Sequence, residues 1–467
     1  MSQTETPAKI PTASSLSTRD RYVILVCAFL GWLCAGFHMS ITPLAMQPAT
    51  IDLLHHTGEL DKARFKILNQ QAPKKGAPPA ASPMSSADVQ QLKHWKELVT
   101  GWFAWYTCAF LFGAASGGLL FGRFGDRWGR SKGMAASILT YSVMAGAAAF
   151  AQDPWQLLVL WYLACTGVGG MWPNGVALVS EAWSGMSRPM VAGVIGTSAN
   201  IGIFLFATLA SNVSITPDSW RWAVLIGAAP VVLGVFSLFC VPESPRWLAA
   251  RHEQTLGAAK TNSNWEVFRP PLLSSTAVGI ILATIPLIGA YGSANWMVPW
   301  AAEAGDAATP PNPFLKAYVQ QARSLTGIVG SLLGGWIGSL LGRRMTYFII
   351  SFAALLISQY TFWFVVPTDG DFLIWVAALG FFSGIYFGWL PLFLPELFPT
   401  RIRSTGAGVS FNFGRILTAV TVFTTGALTA QFGGDYAQIG RVTSLVFALG
   451  MIVICLAPET SQKRLDD

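Results

Sequence analysis

The sequence predicts an all-α membrane protein: twelve transmembrane helices in two pseudo-symmetric six-helix bundles. Three observations carry that prediction. Of 467 residues, 52% are hydrophobic and only 11% charged, whereas a soluble domain carries about a quarter charged residues. The apolar residues come in continuous runs, and bilayer hydrocarbon about 30 Å thick needs roughly 20 of them per spanning helix. The two halves of the chain also repeat the same landmarks in the same order.

The runs place helices at 22–46, 99–122, 133–151, 155–181, 190–211 and 220–241. The second set falls at 273–300, 318–341, 345–366, 372–395, 404–430 and 438–457. Residues 1–21 form a polar tail, and the first run is long enough to span, so no cleavable leader is expected. Residues 22–241 form the first bundle, 273–457 the second, 242–272 the linker and 458–467 a second tail. Trp102, Trp155, Trp220, Trp222 and Trp300 lie near run ends, where amphipathic rings prefer the headgroup layer. Between helices 1 and 2, the loop 47–98 carries Pro73, Pro78, Pro79 and Pro83 in a Lys/Ala/Ser-rich stretch, which predicts mobility. Its second half, DVQQLKHWKELV, predicts a short amphipathic helix leading into helix 2.

Lys and Arg collect in alternate short loops, including Arg123, Arg127, Arg130, Lys132, Arg343, Arg344 and Arg401. The positive-inside bias then predicts two cytoplasmic termini and an even helix count. It also explains the +7 net charge without nucleic acid. All six cysteines lie inside apolar runs, which excludes a disulfide-stapled ectodomain. Neither an H-E-x-x-H, a P-loop nor a G-x-S-x-G is present, so no enzyme, metal or cofactor is expected.

The internal repeat has four markers at a spacing of about 212 to 216 residues. Gly129-Arg130 matches Gly342-Arg343, and Glu181 matches Glu396. Ser198-x-Asn200-x-Gly202 matches Ser410-x-Asn412-x-Gly414, and Pro242-Glu243 matches Pro458-Glu459. A duplicated even-helix unit repeats in parallel orientation, with a binding site between the halves near mid-membrane.

These landmarks resemble the major facilitator superfamily. GRFGDRWGR (Gly122 to Arg130) is similar to its helix 2–3 signature, and PESPRWL (Pro242 to Leu248) to its helix 6 exit. PELFPTRIRSTGAG (Pro395 to Gly408) resembles the helix 10–11 turn, and PETSQKRL (Pro458 to Leu465) the terminal signature. The resemblance covers nearly the whole chain, with the metabolite/carboxylate–proton symporter and organic-anion branches nearest. Helix 7 lacks the paired glutamines of sugar porters, and CAGFHM in helix 1 lacks the acids of aromatic-acid symporters. The resemblance implies alternating access between two halves.

Arg415 is the most informative residue. It lies about eleven residues into helix 11, ~16 Å along it. A charge near mid-membrane faces a cavity or a partner, and a planar guanidinium matches a carboxylate. Ile203 stands at its repeat counterpart, so the fold of the unit does not require the charge. A structural arginine held by backbone carbonyls is the competing reading. Asn412 shares its helix face, and Tyr291 and Asn295 share one on helix 7. Trp172 and Asn174 flank Pro173 in helix 4, and Tyr386 lies at mid-depth in helix 10. All are candidate substrate contacts, against the commoner reading of packed side chains. His38 titrates near neutrality and is a candidate for the substrate site and for the coupled proton, weighed equally against a neutral histidine bonded to a neighbouring helix. Asp126, Arg127, Arg130, Glu181, Arg188, Glu396 and Arg403 are candidate gating residues in an ionic belt.

The expected function is proton-coupled transport of a small organic anion, a mono-carboxylate first. The alternatives are a sugar or other neutral solute with Arg415 structural, and a receptor on a transporter scaffold. A monomer in a bacterial inner membrane is expected.

Overall fold

In the computed structural model, residues 16–71, 84–183, 188–245, 247–248, 251, 264–399, 403–429 and 435–460 are described. Twelve helical spans run in chain order. Spans 1 to 5 are Thr18–His56, Ser86–Trp128, Arg130–Ala148, Pro154–Ala182 and Arg188–Ala210. Span 6 joins Arg221–Ile226 to Val231–Cys240 across Gly227 to Pro230. Span 7 joins Leu273–Leu287 to Met297–Asp306. Spans 8 to 11 are Leu315–Leu340, Arg343–Phe364, Phe372–Glu396 and Arg403–Thr429, and span 12 joins Tyr436–Thr443 to Val446–Leu456.

Among the described residues, eight spanning helices are long and apolar enough to cross a bilayer by composition alone. The other four, spans 3, 4, 8 and 11, are rich in Gly, Ser and Thr. Small residues let backbones approach. A methyl on Gly117 of span 2 would stand 1.8 Å from the Thr166 carbonyl of span 4, so only glycine allows that crossing. The outer belt is apolar: Phe150, Val232, Phe239, Phe364 and Leu456 are strongly exposed, as lipid-facing side chains are.

Each half is one bundle. The halves meet along two seams, span 2 against span 11 and span 5 against span 8. We call the side carrying Thr18 and the end of span 12 the termini face, and the opposite side the loop face.

The repeat markers meet in space. The Glu243 Oε1 at the exit of span 6 accepts the Arg130 and Ser131 amides at 2.8 and 3.3 Å. Glu459, after span 12, accepts the Arg343 and Arg344 amides, each at 3.1 Å. A carboxylate on a helix N-terminus satisfies unpaired amides and complements the helix dipole. Gly129, with φ +118°, makes the turn, and a methyl there would lie 2.1 Å from Glu243 Oε2.

Two expectations are corrected. The stretch 47–98 is mostly helical: span 1 runs on to His56, Lys62–Gln71 is a separate helix, and span 2 begins at Ser86. The amphipathic DVQQLKHWKELV helix is therefore continuous with span 2, and residues 72–83 lie outside the described residues. Span 1, at 39 residues, is ~58 Å long and projects beyond the ~30 Å hydrocarbon layer. Leu54, Leu60, Leu68, Leu92, Trp95 and Val99 close a small core over the projection. Lys62 bridges Asp218 at 2.5 Å, and Arg64 pairs with Asp88 at 2.8 Å. The hydrogen bond to Asp218 raises the Lys62 pKa, and that from Arg64 lowers the Asp88 pKa. The second correction concerns helix 7. It is not continuous, because Ile288–Ser293 is a π-turn and Ala294–Trp296 a 3-10 turn. Such breaks occur at functional sites.

A central arginine site between the two halves

Span 11 carries Arg415 to the seam with span 2. The residue is buried, and its Nη1 donates to the Ala114 carbonyl of the other half at 3.1 Å and to Asn412 Oδ1 at 3.3 Å. The guanidinium lies 4.7 Å from the centre of the Phe411 ring. Among the described residues no carboxylate pairs with it, and both of its hydrogen bonds come from Nη1, which leaves Nε and Nη2 to receive an acceptor. Asn412 packs on Gly118 of span 2. Its repeat mate Asn200 donates to Ser331 Oγ of span 8 at 3.3 Å, so the two amides bridge the two seams in the same way.

Tyr291 sits in the π-turn of span 7, half-buried, its ring 5.3 Å from Phe110 of span 2. Asn295 follows one turn later and accepts a hydrogen bond from Arg323 Nη2 at 2.8 Å. Of the expected contacts, Arg415 and Asn412 meet at the seam with span 2, Tyr291 packs on span 2 through Phe110, and Asn295 is held by Arg323.

The structure adds Arg323, which sequence reasoning left among the outer loops and helix ends. Span 8 starts at Leu315, so Arg323 lies ~12 Å inside the helix. The available signal was Gln320, three residues earlier on the same face, whose Oε1 accepts from Arg323 Nη2 at 2.9 Å.

Other expected site residues lie elsewhere. His38 is fully buried inside the N-terminal half, with Nδ1 3.2 Å from the Cys34 carbonyl and Nε2 3.3 Å from that of Tyr141. Its ring packs on Tyr141 and Trp161 at 4.9 and 5.8 Å. Substrate contact at His38 is corrected accordingly. Asn174 is a clasp between spans 2 and 4, donating to the Phe121 and Gly170 carbonyls at 2.9 Å each. Tyr386 is sealed in the C-terminal half, its hydroxyl 2.6 Å from Ser351 Oγ. Trp172 packs on Trp32 with ring centres 5.0 Å apart. Helix periodicity gives a face but not which neighbour covers it, and that is why the buried Asn174 and Tyr386 looked available from sequence.

The ionic belt on the termini face divides between the halves. Arg130 pairs with Asp126 at 2.5 Å, and Arg127 lies over the Trp128 ring. Glu181 accepts from the Ser244 hydroxyl. Glu396 takes a two-pronged hydrogen bond from Arg343 at 3.0 and 2.8 Å and a third from Thr460 at 2.6 Å. The side chains of Arg188 and Arg403 lie outside the described residues. Each of these described pairs stays within one half.

The loop face differs. Lys96 of span 2 pairs with Glu303 of span 7 across the halves. Lys316 Nζ of span 8 donates to the Leu44 and Ile215 carbonyls of the N-terminal half at 3.3 and 2.7 Å. These contacts border a cavity of about 120 Å³ lined by Thr100, Glu303, Asp306, Lys316 and Tyr436. The protein is therefore latched on the loop face, while the described ion pairs on the termini face leave the halves uncoupled.

Two six-helix bundles with a buried arginine at their seam, unpaired by any carboxylate among the described residues, fit an integral membrane transporter of small molecules. The family model of the Major Facilitator Superfamily matches residues 24–422. The chain belongs to that superfamily. It is 28% identical over 327 residues to the cis,cis-muconate transport protein of Acinetobacter baylyi, covering 68% of this chain and 76% of that one. It is 26% identical over 389 residues to the niacin transporter NiaP of the same organism, covering 78% and 86%. A structure of the xylose transporter XylE from E. coli superposes with a TM-score of 0.67 at 14% identity, covering 96% of this chain and all of that one.

Proposed function

We propose that this transporter carries a small organic anion, a carboxylate, by proton-coupled alternating access, with Arg415 as its anchor. One observation carries the reading: a buried guanidinium between the halves, with no carboxylate mate among the described residues and with Nε and Nη2 unspent. An unpaired charge at this depth costs several kcal/mol, and a substrate carboxylate removes that cost. Muconate and niacin, named for two relatives, are both carboxylic acids. The coupling proton offsets the ~2.3 kcal/mol per charge per 100 mV that an anion meets on entering a negative-inside cell. The termini are read as cytoplasmic, so the latched loop face corresponds to a state closed to the outside.

A second reading has its own observation. The bond from Arg415 to the Ala114 carbonyl crosses the seam, as a strut between the halves would, and a strut fits a neutral solute. Uptake into proteoliposomes separates the two. With the carboxylate reading, Arg415→Gln abolishes uptake of monocarboxylates and dicarboxylates alike, and wild-type uptake rises as the outer pH falls. Normal acid uptake by that variant refutes the reading. Wild-type uptake of hexoses, unaffected by pH, establishes the neutral-solute alternative.

A further inference from the structure

We infer that the occupant of this site is a dianion, a dicarboxylate held at one end by Arg415 and at the other by Arg323; the inference rests on the carboxylate reading of the Arg415 site. The first ground is charge. Spans 8 and 11 of the C-terminal half carry two guanidiniums inside the protein, a half-buried Arg323 and a buried Arg415, and among the described residues neither has an acidic partner. Buried cations are normally neutralised. A monocarboxylate leaves one of the two uncompensated, and a dicarboxylate leaves neither.

The second ground is unspent hydrogen bonding. Arg323 Nη2 is occupied by Asn295 and Gln320. Its Nη1 is sealed from solvent with no partner, and so is Nε2 of Gln320, itself fully buried. Two neighbouring N–H donors without an acceptor match the two oxygens of one carboxylate. Leaving such groups empty is costly.

The third ground is spacing. Span 2 runs from the loop face to the termini face, so Ala114, the partner of Arg415, lies one turn closer to the termini than Phe110, which packs on Tyr291. Span 7 runs the other way, so Asn295, the partner of Arg323, lies one turn closer to the loop face than Tyr291. The two guanidinium anchor points are therefore about two turns apart, ~11 Å along the axis. Two inward-reaching side chains reduce that to the span of a four- to six-carbon or aromatic diacid, with the Tyr291 ring beside its middle.

The test is calorimetric binding of matched pairs to the purified full chain in nanodiscs: adipate against hexanoate, and terephthalate against benzoate. Wild type should favour at least one diacid over its monoacid roughly ten- to a hundredfold, the worth of a charged hydrogen-bonded contact. Arg323→Gln should bring that ratio close to one, with diacid affinity falling much further than monoacid affinity. Arg323→Lys, which keeps the charge, should retain most of the preference. Arg415→Gln should lose both members of each pair. The dianion inference is overturned if wild type shows no diacid preference, or if Arg323→Gln weakens monoacid and diacid equally. Should Arg323→Gln not give a monodisperse protein, the wild-type ratio and Arg323→Lys decide. Full affinity for both acids in Arg415→Gln, or no binding of any probe by wild type, instead removes the carboxylate reading beneath it.

Discussion

The Lys96–Glu303 pair is the sharpest handle on the alternating halves, because among the described residues it is the one ion pair that joins them. Opening the loop face must break it. The side chains are 26% and 31% exposed, so solvent screens them and the pair contributes no more than about 1 kcal/mol. That is a factor of about five in the closed-to-open ratio. Lys96→Glu replaces attraction by repulsion of similar size, so the shift grows to about 2 kcal/mol, roughly thirtyfold. The readout is labelling of Thr100→Cys, a position buried on the loop face beside the cavity. A soluble maleimide should reach it only in the open state, with labelling of the native cysteines measured in the parent and subtracted. Labelling should accelerate in Lys96→Glu and return towards the parent rate in the swapped pair Lys96→Glu/Glu303→Lys. A rate unchanged by the reversal, or a swap that restores nothing, would refute the latch.

Three other outcomes are expected. Glu396→Ala strands the buried Arg343, 8% exposed in its side chain, at a cost of about 3–5 kcal/mol; the melting temperature should fall by about 3–5 °C, and a loss below about 1 °C would contradict the pairing. The double change Arg343→Met/Glu396→Met should recover most of that loss. Gly129→Ala forces a side chain into φ +118° against Glu243, costing about 1–3 kcal/mol, whereas Gly122→Ala, with open space around it, should be close to neutral by the same thermal assay. His38→Gln should lower stability by about 1–3 kcal/mol through its buried hydrogen bonds and leave the pH dependence of uptake intact. A folded His38→Gln protein whose uptake no longer responds to pH would return the coupled proton to His38.

Much of the architecture was legible because hydrophobic run length is a one-dimensional property. Membrane class, the spans and their pairing into two halves follow from it and from the four repeat markers. The site was legible only in part. Arg415 stood out because an ion deep in an apolar run needs no neighbour to look unusual. Arg323 did not, because starting its helix three residues late moved it towards the lipid headgroups. His38, Asn174 and Tyr386 looked equally promising as polar groups in spans. Whether such a group faces the seam or the interior of one half depends on the rotation of its helix against four or five others.

By itself the sequence determined that this chain spans a membrane twelve times as a duplicated unit, and that its eleventh span buries a cation. Both are consequences of transfer free energies, which add residue by residue along the chain. Tertiary structure alone decided what faces that cation. It set Ala114 and Asn412 against Arg415, held Arg323 with Asn295 and Gln320, folded Glu243 and Glu459 onto helix starts far away in sequence, and latched the loop face through Lys96. Those relations arise from packing between segments, a property no single stretch of chain possesses.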